Sequence, residues 1–146
     1  VTGARSPRLY SPAVLALATG LAAFPLDDRL PLRAEARSRT CGSEVVLGLD
    51  VTPSGKVARV GVQVRACAIG QASAALLAQA APGRPAEDIA ETLAALEAWL
   101  NGAGDLPEWP DLVLLAPARD HPARHGALLL PWKAASKALS SGAAAG

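Results

Sequence analysis

A chain of 146 residues is long enough to bury a core without disulfide staples, and one domain is its natural organisation. A formal net charge of +1, from 14 basic and 13 acidic residues, gives no support for an extensive electrostatic surface for nucleic acid or membrane lipid. Two cysteines do not make a secreted disulfide framework, and no apolar run reaches the ~18 residues of a membrane span, so a soluble cytoplasmic protein is expected.

Much of the 51% hydrophobic content is alanine, with one Phe, one Tyr and no Met. The expected core is therefore Leu, Val and Ala around Trp99, Trp109 and Trp132. Residues 1–8 read as a flexible arm, 9–140 as the folded domain and 141–146 as a flexible tail. Ser11-Pro12 supplies an N-cap and a proline at the first helical position. A helix follows from Ala13 to about Ala23, with Val14, Leu17, Ala18 and Leu21 on one stripe and Phe24-Pro25 at its end.

Leu32–Arg39 alternates: Leu32, Ala34, Ala36 and Ser38 face one way, and Arg33, Glu35, Arg37 and Arg39 the other. That is a half-buried strand with a solvated charged face. Two further strand-like runs flank the turn signal TPSGK. Val45, Leu47, Leu49 and Val51 form one face of the first, and Val60, Val62 and Val64 one face of the second. A turn centred near Ser54 sets Cys41 opposite Cys67, about 4.5–5.5 Å apart at Cα, and a bulge shifts that pairing by one position.

After Cys67 the period changes to helical. One helix is expected from about Ile69 to Ala81, ended by Pro82-Gly83. Pro85 opens the next, with Glu87 and Asp88 in its first turn and Ile89, Leu93, Leu96 and Leu100 on its buried stripe. A short helix or turn is expected over Leu112–Leu115, broken by Pro117. The last helix runs from about Ala123 to Leu139, with a kink or restart at Pro131. The fold class is α+β: a three-stranded, mostly antiparallel sheet packed against four to five helices.

No P-loop, dinucleotide glycine pattern, HExxH or GxSxG occurs, and Ser73 has no evident base, so the chain reads as no enzyme and no catalytic residue is assigned. The chemistry rests on the thiols. Cys67, where a strand passes into a helix, is the better candidate for a low pKa, because the helix dipole favours a thiolate there. Two adjacent thiolates are half of a sulfur-rich tetrahedral site suited to zinc or iron–sulfur chemistry. His121 and His125 are the nitrogen candidates, and Asp120 and Glu44 the oxygen candidates, to complete it. Buried or merely adjacent thiols, and redox or sulfur-accepting chemistry, are the other readings of the bare pair.

LYSPAVLALATG, TCG, the hairpin, ACAIGQASAALLA and PARHGALLLPWKAASKAL, in this order from Leu9 to Leu139, resemble the NifU N-terminal domain family, which includes the IscU and SufU iron–sulfur cluster assembly scaffolds. The most specific pieces are Cys67-Ala68-Ile69 with Ser73 on a small-residue helix, and Pro122-Ala123-Arg124 with Trp132. The resemblance implies a SufE/NifU-like fold that gathers three cysteines and an aspartate around zinc or a nascent [2Fe–2S] cluster, with sulfur supplied by a cysteine desulfurase. Cys41 and Cys67 match two of the cysteines, whereas Ser43 replaces the aspartate and Ala127 the third cysteine. Gly70 stands where serine is common. A histidine of the IscU branch maps to Gly126, so His125 is turned from it by about 100° on a helix. Three fates follow. Cys41 and Cys67, with His125 or His121, bind iron, zinc or a cluster atypically; the pair accepts or relays sulfur; or the domain is a degenerate interaction module.

Overall fold

The structure, a computed structural model, describes residues 9–39 and 42–145. Its first helix, α1 (Pro12–Gly20), begins as expected: Ser11 Oγ accepts from the Val14 amide at 3.2 Å, and Pro12 opens the first turn. A 3-10 turn, Leu21–Ala23, completes the element. Val14 is buried, and Leu17 and Leu21 pack against the core, so the expected stripe faces inward.

Strands β1 (Leu32–Arg37), β2 (Glu44–Val51) and β3 (Val57–Arg65) form one antiparallel sheet in the order β1-β2-β3. β1 buries Leu32, Ala34 and Ala36 partly and exposes Arg33, Glu35 and Arg37, as its alternation dictates. Between β2 and β3, Val51 pairs with Val57, which centres the turn on Ser54, and Gly55 takes a φ of 85° within it. A register shift between Asp50 and Val51 then moves every later pair by one, so that Leu49 meets Val60, Leu47 meets Val62 and Val45 meets Val64. The shift has a clear physical use. Side chains alternate faces with a period of two, so an unshifted register would set the β3 valines opposite outward-facing β2 residues. With the shift, both apolar rows share one face.

That face is covered by α2 (Ala68–Ala80) and α4 (His125–Ala145), with α1 against α2 and α3 (Glu87–Leu100) against α4. Leu47, Leu49, Ile69, Leu76, Leu77, Leu128 and Trp132 are fully buried between the layers, and Trp99 and Trp109 are buried nearby. α3 carries Glu87 and Asp88 in its first turn and buries Ile89, Leu96 and Leu100.

Two elements differ from expectation. The 3-10 helix Leu112–Asp120 continues through Pro117, where a break was expected. α4 passes through Pro131 as one helix and continues to Ala145, beyond the expected end at Leu139 and across most of the stretch read as a tail. The proline is buried, and the Ser73 hydroxyl of α2 bonds Leu128 before it and Trp132 after it.

The outer face of the sheet is also partly covered. Gly48 and Gly61 pair across β2 and β3, and Leu26 and Leu30 from the α1–β1 connection lie on them. A Cβ on Gly48 would stand 3.0 Å from Leu30 Cβ, and one on Gly61 would overlap the Pro25 carbonyl. The same connection reaches the free edge of β3: the Val62 amide donates to the Phe24 carbonyl at 2.8 Å, and Pro25 bridges Val62. At the start of β3 the edge is met by the α2–α3 connection, with Val57 N–H on Arg84 O and Gly83 N–H on Val57 O, both 2.8 Å, and Lys56 bridging Pro85. Among the described residues, no helix is long and apolar enough to cross a membrane.

Candidate functional site

The site is built at the end of the sheet where β1 turns into β2 and β3 runs into α2. The β1–β2 turn is closed by Ser38 N–H on Ser43 O at 2.9 Å and Gly42 N–H on Ser38 O at 3.1 Å, with Gly42 at a φ of 71°. Glu44, the first residue of β2, pairs with Arg65, the last of β3. Cys67 follows as the N-cap of α2, in extended conformation, with no side-chain capping hydrogen bond. It is half-buried, and its thiol is free among the described residues. The strand-to-helix placement expected for Cys67 is therefore present.

Cys41 lies outside the described residues. The expected pairing of positions 41 and 67 carried the Ser54-centred register to the end of the hairpin. The shift at Asp50 and Val51 is the one-position displacement expected of a bulge: the Glu44–Arg65 register carried outward sets position 67 across from 42.

The two positions where the family resemblance expects further ligands also reach this end. Ser43 is buried and hydrogen-bonded within the turn. Ala127, in the first turn of α4, is buried against the first turn of α2: a Cβ on Gly70 would lie 3.4 Å from Ala127 Cβ and 3.3 Å from its carbonyl oxygen. Ala127 thus provides a methyl wall where the expected third thiol would stand.

His125 is the first residue of α4 and is half-buried. Its Nε2 lies 2.8 Å from the Arg119 carbonyl. A carbonyl only accepts, so Nε2 is the donor, which in a neutral ring leaves the lone pair on Nδ1. His121 is exposed before the short 3-10 turn Pro122–Arg124, and its carbonyl accepts from the Arg124 amide at 2.8 Å. Glu44 lies 3.9 Å from Arg37 in an ion pair. Among the described residues, no three His, Cys, Asp or Glu side chains come together as a metal-holding group. Cys67, His125, His121, Asp120 and Glu44 do not by themselves assemble one.

Sequence reasoning did not assign Ser73 a structural role. It is fully buried in α2, donates to the Leu128 carbonyl at 2.6 Å and accepts from Trp132 Nε1 at 3.0 Å. Trp132 meets Trp109 edge to face at 4.8 Å, and Trp109 Nε1 donates to the Leu76 carbonyl at 2.8 Å. The guanidinium of Arg84 stacks 4.2 Å above Trp109. The signal was the pairing of Ser73 with Trp132 as fixed motif positions: each supplies the hydrogen-bonding group the other needs when buried.

No family model matches the sequence, and no curated protein matches it. Solved structures do. The N-terminal part of a NifU-like protein from Brucella abortus is similar with a TM-score of 0.83 and 28% identity, over 90% of this chain and 92% of that one. A protein described as an iron–sulfur cluster assembly scaffold for the SUF system, from the thermophile Fervidobacterium islandicum AW-1, has a TM-score of 0.76 over 88% of this chain and 94% of that one; at 23% identity it supports the fold alone. In fold, and in the order of the motifs at Cys67, Ser73, Pro122-Ala123-Arg124 and Trp132, the chain is thus similar to a NifU-like N-terminal domain.

Proposed function

We propose that this domain is a scaffold with a reduced ligand set, holding iron, zinc or a nascent [2Fe–2S] cluster as cargo through the thiolates of Cys41 and Cys67, with His125 as the nitrogen donor. The observation that carries the reading is the convergence of positions 43, 67 and 127 on one end of the sheet, with Cys67 at the α2 N-cap. His125 supports it: donating Nε2–H to the Arg119 carbonyl is how proteins fix the tautomer of a ligating imidazole, and Nδ1 stays available. Replacing a carboxylate by Ser43 and a thiolate by Ala127 removes two anionic donors, so binding is weak compared with a four-ligand site and open to donors from a partner or solvent. A cysteine desulfurase is the partner class that would supply sulfur to such a site, in a reducing compartment such as the cytoplasm.

Zinc titration and anaerobic reconstitution with iron and sulfide test this. The expected result is one bound equivalent with thiolate-to-metal absorption, lost in Cys41→Ala and Cys67→Ala and weakened in His125→Ala. Absence of both zinc binding and thiolate–iron absorption overturns the reading. Persulfide on Cys67 after incubation with a desulfurase and cysteine, in a protein that takes no metal, moves the assignment to sulfur relay.

A further inference from the structure

The polar centre at Ser73 lies outside the ligand set yet sits between α2, with Cys67 as its N-cap, and α4, whose first turn carries His125. Beside Ile69, Leu76 and Leu77, α2 buries a run of alanines, Ala72, Ala74, Ala75 and Ala78, whose methyl groups carry no direction. Apolar contacts of this kind fix the distance to a neighbouring helix more strictly than its rotation or slide. Gly70 adds close approach, since α4 meets it at Ala127. Ser73, one turn further along, adds direction. Its single proton goes to Leu128 O, and its lone pair receives Trp132 Nε1–H, two groups one helical turn apart on α4.

These contacts straddle Pro131, which has no amide to donate to the Ala127 carbonyl four residues earlier. The first turn of α4, carrying His125 and Ala127, is therefore joined to the rest of its helix by a ladder lacking one bond. Ser73 grips both sides of that gap. Trp132 is in turn fixed by Trp109, itself bonded to α2 at Leu76, so the grip returns to the helix it started from.

We infer that Ser73 is a positioning residue: its hydroxyl sets the rotation and slide of the first turn of α4 against the first turn of α2, and so holds His125 and position 127 in place relative to Cys67. The metal-dependent part of this inference rests on the scaffold reading above; the geometric part does not.

The test uses the whole chain with three substitutions: Ser73→Ala, Trp132→Phe and Ile89→Val, the last a buried change on α3 that leaves every hydrogen bond of Ser73 intact. Cobalt(II) is the probe, because its ligand-field bands report site geometry. Ser73→Ala is expected to weaken cobalt binding by about tenfold and to shift those bands, as loss of an orienting contact does. Trp132→Phe, which keeps the bond from Ser73 to Leu128, is expected to produce a smaller shift. Ile89→Val is expected to leave the bands in place. In the metal-free protein, amide NMR shifts over 67–70 and 125–128 are expected to move in Ser73→Ala and to stay in Ile89→Val. Unmoved amides and unmoved bands in folded Ser73→Ala overturn the inference. If the parent takes no cobalt, the scaffold reading fails, and the amide shifts alone decide the positioning role. If Ser73→Ala does not fold, Trp132→Phe decides, and unchanged amides there overturn the inference.

Discussion

Ala127 and Gly70 meet where the first turns of α4 and α2 touch, and a Cβ on Gly70 would stand 3.4 Å from Ala127 Cβ. The meeting point neighbours Cys67, so a thiol introduced at 127 is added to the same end of the sheet. Ala127→Cys is expected to tighten zinc or cobalt binding by about tenfold or more, measured by competition with a chelator. Adding Ser43→Asp is expected to tighten it further. No gain in either variant would mean that this end of the sheet does not hold metal.

Removing the Ser73 hydroxyl takes the Trp132 indole N–H's partner away in a buried site, and leaves the Leu128 carbonyl with its helical bond alone. Chemical denaturation of Ser73→Ala is expected to show a loss of about 1–3 kcal/mol. In a Trp132→Phe background the same change is expected to cost less, with a coupling of about 0.5–3 kcal/mol between the two sites. Strict additivity would show that the 3.0 Å contact contributes nothing of its own.

Gly61 is crowded by the connection that crosses the outer face, with Leu30 Cδ1 2.8 Å from where a Cβ would stand. Gly61→Ala must push Leu26 and Leu30 outward, at a cost of about 1–3 kcal/mol. Hydrogen exchange at the Val62 amide, which donates to Phe24, is expected to accelerate with it. Unchanged protection would show that the connection adapts without leaving the sheet.

Asp27 anchors the same connection. The hydrogen bond from the Arg29 side chain, with a second from the Arg29 amide, lowers its carboxyl pKa from 3.8 to about 2. A folded-state value below the unfolded one means that the charged form stabilises the fold above about pH 4, and that this contribution is lost as pH falls through about 2. Carbon-detected NMR titration of Asp27 is expected to give the depressed midpoint, and Arg29→Ala to return it toward 3.8. A midpoint that ignores Arg29→Ala would place the cause elsewhere.

Much of this architecture is legible in local pattern. The alternation from Leu32 dictates β1, the leucine stripe from Ile89 dictates α3, and Ser11-Pro12 dictates where α1 begins. The register of the hairpin needed one more observation: the valine rows of β2 and β3 share a face only if a residue is absorbed near Val51. Leu26 and Leu30 carry no period, so their cover over Gly48 and Gly61 is a tertiary fact that no window of sequence encodes. The candidate site was legible as positions, through Cys67, Ser43, Ala127 and His125. It was not legible as geometry, because the distance between α2 and α4 is set by Gly70, Ser73 and Trp132 together.

The closure of β3 bears on how the molecule behaves in company. Along that strand, Val62 and Val57 already spend their outward amides on Phe24 and Arg84, and a proline stands at each of the two bridges, Pro25 and Pro85. A proline presents no donor to an incoming strand, so a foreign chain approaching this side meets interrupted hydrogen-bonding partners. Growth of the sheet into larger aggregates is thereby directed to β1, whose solvent-facing arginines and glutamate resist flat stacking.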